Sequence, residues 1–290
     1  MKVLVFSSSG QLAKCLRDQL ESSSYETVFV GRDICDLSIT SEIEHTYSQF
    51  QPHVVINAAA YTSVDSAESN FALADAVNNL AVAELARLCN LSGATLIHVS
   101  TDYVFNGVSD VPYKEVDHTN PTGVYGATKL AGELSIKSSG CKFLILRTAW
   151  VFSEYGHNFL KTMLRVGASK NEMSIVEDQI GCPTYAQDIA GVIYTFLEGI
   201  EKGNLDSDIY HFCGDVSCSW YDFAEEIFNV AKESSFEVPS HLIPIATENY
   251  PTPASRPKYS VLDCSKIKHE IGIEASDWKL GIRKSIAALV

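Results

Sequence analysis

The chain has few basic residues, no closely spaced cysteine pair and no long apolar run. Its 22 Lys and Arg residues are outnumbered by 36 Asp and Glu residues, which gives a formal net charge of −14. Because a field of that sign repels nucleic acid and anionic membrane surfaces, we expect neither as a partner. An anionic small molecule is not excluded, since helix N-termini and single basic side chains bind phosphates locally.

The sequence offers no segment for export or membrane insertion. No stretch reaches the roughly 18 apolar residues that a membrane span needs, and the apolar start turns polar at Ser7, too early for a signal peptide. We therefore expect a cytoplasmic protein. Its eight cysteines contain no CxxC pair, which favours reduced core thiols over a disulfide framework or a zinc site. No metal site is predicted.

Short β-branched runs alternate with longer helical segments in the first half of the chain. This alternation predicts an α/β fold, a Rossmann-type doubly wound parallel sheet with helices on both faces. The predicted strands are apolar throughout, which is typical of strands buried on both faces: they are 3–6, 27–30, 54–57, 95–99 and 143–146. The helices predicted between them lie at about 11–22, 41–50, 72–91 and 122–137.

The pattern changes after Arg147. Helices are predicted near 158–168, 187–198 and 220–232, and the proline-rich residues 250–257 are excluded from helices and inner strands. We predict that residues 1–150 form an NAD(P)-binding Rossmann domain and that residues 151–290 form mainly a smaller mixed α/β substrate-binding lobe. The boundary is soft, because late elements are expected to join the sheet of the first domain.

The first predicted strand leads into a helix through the turn 7–10, which is Ser-Ser-Ser-Gly. Such a turn presents backbone N–H groups to a pyrophosphate. Compared with a GxxGxxG pattern, only Gly10 keeps its glycine, and Ser7 and Ala13 replace the others, so an ordinary turn stays an alternative. After the second strand, Arg32 favours NADPH over NADH, because a guanidinium can pair with a 2′-phosphate; a solvated surface cation is the alternative.

The sharpest chemical signal is Tyr125 and Lys129, four residues apart in a predicted helix. This spacing places phenol and ammonium on one helix face, where the positive charge is expected to lower the pKa of the phenol. A tyrosine tuned in this way can donate a proton to a carbonyl oxygen during reduction. The ends of the first and fourth strands are expected to face one crevice. Thr101, at the end of the fourth strand, is therefore expected to hydrogen-bond that phenol or the carbonyl.

These motifs resemble those of the extended short-chain dehydrogenase/reductases. The resemblance spans nearly the whole chain and rests on residues 10–12, 57–68, 100–105, 125–133, 147–152, 158–159 and 251–257. It implies that Tyr125 is the proton donor, that Lys129 binds the nicotinamide ribose and tunes Tyr125, and that Thr101 adjusts the pKa of Tyr125.

The resemblance also implies the binding residues. The cofactor would be NADPH or NADH. Its phosphates would be bound by Gly10, Gln11 and Leu12, its adenine side by Asp36 and Leu37, and its middle by Ala60, Tyr61 and Thr62. Thr101, Asp102 and Trp150 would contact a deoxysugar, and Arg256 would contact the nucleotide diphosphate. As alternatives, Trp150 is a core residue and Arg256 a surface residue in a stiff loop.

The activity implied is reduction of the 4-keto group of dTDP-4-dehydro-β-L-rhamnose to dTDP-β-L-rhamnose, a step in making polysaccharide precursors. Two other functions stay open. One is a sugar-nucleotide epimerase or dehydratase of the same superfamily, although such dehydratases have Glu where this chain has Tyr103. The other is a non-catalytic NADP-binding regulatory subunit. A homodimer is also left open.

Overall fold

The computed structural model describes residues 1–290, which form a layered α/β structure. The strands are β1 (Lys2–Phe6), β2 (Glu26–Val30), β3 (Val54–Asn57), β4 (Thr95–Thr101), β5 (Lys142–Thr148), β6 (Val151–Phe152), β7 (Glu172–Val176), β8 (Ile180–Gly181), β9 (Thr184–Tyr185), β10 (Asp208–His211), β11 (Cys218–Ser219) and β12 (His241–Ile245). The helices are α1 (Gln11–Leu20), α2 (Thr40–Phe50), α3 (Val64–Ala67), α4 (Phe71–Asp75), α5 (Ala81–Ser92), α6 (Val124–Ser139), α7 (Phe159–Gly167), α8 (Ala186–Lys202), α9 (Trp220–Glu233), α10 (Ser265–Ile271) and α11 (Trp278–Ala287). None of them combines the length and the apolar composition needed to cross a bilayer.

Six strands form the central sheet, in the order β10-β5-β4-β3-β1-β2. All neighbouring pairs are parallel. The chain goes from β1 to β2 on one side and then returns to β3 on the other, so the order reverses beside β1. Open α/β sheets bind ligands outside the strand ends at such a reversal. The predicted Rossmann-type sheet is confirmed.

The two faces of the sheet bury separate apolar clusters, because successive side chains of a strand point to opposite faces. Val3 and Val5 pack with residues of α1 and α8, whereas Leu4 and Phe6 pack with residues of α2 and α5. The expectation that all the strands are buried on both faces is wrong for β2. This strand lies at the sheet edge, and Glu26 and Val28 are exposed there.

Elements from the second half of the chain join the central sheet and the helices packed on it. β10 pairs with β5 at the sheet edge, and α8 supplies apolar side chains to the cluster over β1. The remaining elements enclose a separate core around α7, α9 and α11 and contain two-stranded sheets such as β7–β12. The division into residues 1–150 and 151–290 stays a prediction, and α8, β10 and α10 of the second range pack with the sheet of the first.

The single helix predicted over 72–91 is wrong in one respect. A π-helical turn, Ala76–Leu80, separates α4 from α5. Turns of this kind are common at functional sites, because the wider turn redirects a side chain. Here Asn78 is buried, and its carboxamide accepts from the Tyr61 N–H (2.8 Å) and donates to Thr128 Oγ1 (3.1 Å).

A buried ion pair ties α6 to the sheet. Arg147 on β5 and Glu133 on α6 are 3% and 1% exposed and are 2.6 Å apart at their closest atoms. Ser100 on β4 donates to the same carboxylate, and His211 on β10 lies 3.3 Å from the guanidinium. The pair therefore connects α6 with three neighbouring strands.

We expect Arg147→Met to lower the free energy of unfolding by about 3–5 kcal/mol, because it leaves the Glu133 charge buried without its counter-ion. Urea unfolding followed by far-UV circular dichroism measures the change. The double variant Glu133→Gln/Arg147→Met should recover much of the loss, since it buries no charge. A single variant as stable as the parent chain would show that the pair is not a structural tie.

Candidate active site

A cavity of about 260 Å³ lies at the carboxyl ends of β1 and β2. Its lining includes the serine turn and several residues that were predicted to bind the cofactor: Ser7, Ser8, Ser9, Arg32, Asp36, Leu37, Ala60 and Tyr61. Gly31, also in the lining, has no room for a side chain, since a Cβ there would lie 2.2 Å from Ser8 Oγ. A cavity between a strand–helix turn and the end of the next strand fits the adenosine side of a dinucleotide.

The backbone conformation of Ser7 explains why the GxxGxxG pattern has a glycine at this position. Its φ is +142°, a backbone conformation that side chains rarely adopt. The turn is held by the Ser7 N–H, which donates to the Val30 carbonyl at 2.9 Å. The chain thus keeps the glycine geometry with a serine and accepts backbone strain at the cavity wall.

The start of α1 can receive an anion through its backbone. Gly10 is the N-cap residue, is exposed and forms no side-chain cap, so the first N–H groups of the helix remain available. The Gln11 side chain is engaged elsewhere, because it donates to the Val151 carbonyl at 3.1 Å and accepts from Asn158 at 3.2 Å. Leu12 is buried in the core. Gly10 and Gln11 therefore offer main-chain groups, and Leu12 contributes packing.

Arg32 is paired within the protein. Its Nε donates to Asp36 Oδ2 at 2.9 Å, and its side chain is 77% exposed at the rim of the cavity. Hydrogen bonds from Ser38, and more weakly the contact with Arg32, lower the pKa of Asp36. A 2′-phosphate would have to compete with Asp36 for this guanidinium.

The segment after β3 is fixed by a residue that the sequence did not single out. Asn78 holds both backbone groups of Tyr61, through the N–H at 2.8 Å and the carbonyl at 3.1 Å. Thr62 is exposed and Ala60 is half-buried. The one signal for Asn78 was an Asn-Asn pair inside an otherwise apolar helical pattern.

Tyr125 on α6 faces Thr101 at the end of β4, and the Thr101 side chain acts to lower the pKa of Tyr125. The helix can approach because of Gly126, where a Cβ would lie 2.2 Å from the Tyr103 carbonyl oxygen. The Tyr103 and Tyr125 rings stand edge to face, 5.5 Å between centroids. Thr101 also donates to Asp102 Oδ1 at 2.9 Å, which fixes its hydroxyl.

Lys129 is 1% exposed and is turned toward β4. Its Nζ donates to the Val99 carbonyl at 2.7 Å and lies 3.2 Å from His98 Nε2. Burial lowers the pKa of Lys129 to about 8. The prediction that this cation lowers the pKa of Tyr125 is wrong for this structure: burial raises the pKa of Tyr125 to about 12, against the opposite effect of the Thr101 side chain.

Asp102 sits beside this trio, buried, with Oδ2 lacking any hydrogen-bond partner. Burial raises its pKa to about 6, although the hydroxyls of Ser260 and Thr101 act in the opposite direction. Buried polar atoms are normally satisfied. Oδ2 is therefore an unsatisfied buried acceptor, and the predicted contact of Asp102 with a sugar stays a prediction.

The side chains of Trp150 and Arg256 are each held by contact with another side chain. The Trp150 backbone has φ +46°, and its indole stacks on Trp220 with centroids 3.5 Å apart. Arg256 forms a bidentate ion pair with Asp65, at 2.8 and 3.1 Å. The Trp150 ring is thus oriented but only partly buried, and Arg256 is neither free nor a solvated surface residue.

The chain is similar to known proteins over nearly its whole length. The family model described as "RmlD substrate binding domain" matches residues 1–290. The dTDP-4-dehydrorhamnose reductase of Aggregatibacter actinomycetemcomitans is 42% identical over 288 residues, which cover 97% of each chain. The crystal structure of dTDP-4-dehydrorhamnose reductase from Bacillus anthracis in complex with NADP has a TM-score of 0.92, 33% identity and 99% coverage of both chains. The reductase from Clostridium acetobutylicum has the same TM-score at 36% identity and covers 100% of this chain and 99% of its own.

We expect Ser7→Gly to raise the free energy of unfolding by about 1 kcal/mol. Relief of strain at positive φ is worth about 1–3 kcal/mol, and the extra freedom of glycine in the unfolded chain offsets about 0.4–1 kcal/mol. Thermal unfolding monitored by calorimetry gives the value. Ser9→Gly is the control, because Ser9 is not at positive φ. Equal effects of the two substitutions would show that Ser7 is unstrained.

Asp102 should make stability depend on pH. Its pKa is raised from 3.8 to about 6, so the folded chain binds this proton more tightly than the unfolded chain does. That contribution is complete below about pH 4 and is lost as the pH rises to about 6. Relative to the parent, Asp102→Asn should therefore gain about 2 kcal/mol between about pH 4 and pH 7. Urea unfolding across this range measures the gain, with Asp33→Asn as an exposed control. A constant difference would contradict the shifted pKa.

Proposed function

This chain belongs to the RmlD substrate binding domain family, and from that membership we propose that it reduces the 4-keto group of dTDP-4-dehydro-β-L-rhamnose with NADPH to give dTDP-β-L-rhamnose. The relatives at 33–42% identity described above carry the name of this reductase. No observation favours the epimerase, the dehydratase or the regulatory subunit.

One observation carries the proposal: Tyr125 and Lys129 on α6 both face the carboxyl end of β4, where Thr101 lies. Residues at the ends of β1, β3 and β4 are in register, with Phe6 opposite Asn57 and Asn57 opposite His98. The serine turn after β1 and Thr101 at the end of β4 therefore face the same sheet edge. A dinucleotide with its adenosine in the cavity would extend along this edge toward Tyr125.

The nicotinamide, when bound, supplies a hydride to the carbonyl carbon. Tyr125 supplies the proton to the carbonyl oxygen, and its pKa of about 12 keeps the phenol protonated at neutral pH. Thr101 orients the phenol from the end of β4. Lys129 places a positive charge on the ribose side of the site, and alignment of both reactants supplies a large share of the rate enhancement.

On the substrate side, we assign the deoxysugar to Asp102 and Trp150 and the diphosphate to Arg256. Asp102 offers its unpartnered oxygen to a hydroxyl, and the Trp150 indole offers a flat apolar face. Arg256 would exchange its bidentate contact with Asp65 for one with the diphosphate, since both anions match the guanidinium fork. These assignments are supported by placement and chemistry.

For the cofactor we assign the phosphates to the main chain of Gly10 and Gln11, the adenine side to Asp36 and Leu37, and the middle to residues 60–62. Arg32 supports NADPH once a 2′-phosphate displaces Asp36. Eight free cysteines, none of them exposed, fit a reducing compartment, and we propose the cytoplasm.

Tyr125→Phe should lower kcat by about 10²–10⁴-fold, because it removes the transferable proton. Binding of NADPH should stay within a few-fold of the parent, since the ring is retained. The measurement is loss of NADPH absorbance with dTDP-4-dehydro-β-L-rhamnose, together with a fluorescence titration of NADPH.

Tyr103→Phe is the matched control, because Tyr103 is a neighbouring, largely buried tyrosine in contact with the same ring. It should keep most of the turnover. Similar losses in both variants would remove Tyr125 from its role. No consumption of NADPH by the folded parent chain would overturn the proposed function itself.

A further inference from the structure

His98 lies on β4 directly behind Lys129, and nothing in the proposed reaction uses it. The imidazole is fully buried. Its Nδ1 lies 3.2 Å from the carboxamide of Asn57 on β3, and its Nε2 lies 3.2 Å from Lys129 Nζ on α6. The ring therefore bridges the end of a neighbouring strand and the buried cation.

The partners of the ring decide where its proton sits. An ammonium has donors only, so the nitrogen that faces it must be an unprotonated acceptor. Burial, and then the charge of Lys129, lower the pKa of His98 well below its usual value, which keeps the ring neutral. The single proton is then on Nδ1. The atom placed opposite Nδ1 is Asn57 Nδ2, and Asn57 Oδ1 accepts from the Ala59 N–H at 3.3 Å. Because two donors cannot face each other and the N and O atoms of an amide are assigned from the network, the proton on Nδ1 requires the Asn57 amide to be turned so that its oxygen faces the ring.

We propose that His98 is a positioning residue: its unprotonated Nε2 accepts a hydrogen bond from the Lys129 ammonium and, with the Val99 carbonyl, holds that group charged and fixed against the end of β4. The inference rests on the proposed function of Lys129. Lys129 Nζ has only these two hydrogen-bond acceptors within the protein, His98 Nε2 and the Val99 carbonyl. Removing one leaves a buried N–H without a partner, which disfavours the charged form.

The groups that act on the Lys129 charge are few. Glu133, one helical turn further along α6, favours the charged form, and Arg147 on β5 compensates that carboxylate. Asp102 and Tyr103 in the 3₁₀ turn after β4 act on Tyr125 instead. The π-helical turn packed on α6 carries no titratable side chain. His98 is thus the one titratable side chain from another element in contact with Nζ.

Substitutions at His98 should separate positioning from packing. His98→Leu removes the acceptor, so the basic limb of the kcat/KM profile should move by about 1 pH unit toward lower pH, with a roughly tenfold loss at about pH 8. His98→Gln can place its amide oxygen near the position of Nε2. It should return the basic limb to its place in the parent profile and bring kcat/KM at about pH 8 to within about threefold of the parent value. His211→Gln is the control, because His211 is also buried but contacts Arg147; it should leave the profile unmoved.

A second measurement needs neither activity nor cofactor. Nitrogen-15 NMR of histidine-labelled parent chain should show His98 as a neutral ring protonated on Nδ1 from about pH 5 to 9, with His98→Gln assigning the signal. A ring protonated on Nε2, or equal shifts of the pH profile in the Leu and Gln variants, would overturn the inference. If the parent consumes no NADPH while NMR finds the Nδ1 proton, the proposed function fails and the contact with Lys129 stands.

Discussion

The site depends on one stripe of polar side chains along α6 that is pressed against the end of β4. Tyr125, Lys129 and Glu133 are spaced four residues apart, so they share one face of the helix. Each meets a residue of β4: Tyr125 meets Thr101, Lys129 donates to the Val99 carbonyl, and Glu133 accepts from Ser100. Three buried polar groups must be satisfied at once, which fixes the helix in both rotation and height. Arg147 completes this arrangement from the next strand.

Periodicity and spacing were enough to predict the sheet, most helices and the helix face that Tyr125 and Lys129 share. Apolar runs of four to seven residues mark buried strands, and the interval of four between Tyr125 and Lys129 marks a common helix face, because both depend on local geometry alone. The direction of the Lys129 ammonium was not predictable from spacing. Its choice of the Val99 carbonyl depends on how closely α6 approaches β4, which Gly126 permits through contact with another segment.

The residues missed were those whose partners are distant in sequence or lie inside an irregular turn. Arg256 was singled out but its partner Asp65 was not, because the two are 191 positions apart and no local pattern connects them. Asn78 acts through a π-helical turn, whose extra residue breaks the period of 3.6 on which helix prediction relies. The strain at Ser7 was visible only as a missing glycine, since a sequence shows which residue replaces glycine but not whether φ stays positive. In each case long-range packing overrides the local signal.

Burial sets which forms of Tyr125 and Lys129 are populated at neutral pH. It disfavours charge on every group, so the pKa of Tyr125 rises to about 12 while that of Lys129 falls to about 8. At neutral pH the phenol therefore holds its proton and the lysine remains mostly charged. A protonated phenol can give a proton to a developing alkoxide but cannot accept one from an alcohol. The desolvation that follows from packing α6 against β4 thus keeps Tyr125 in the protonated form that reduction of a ketone requires.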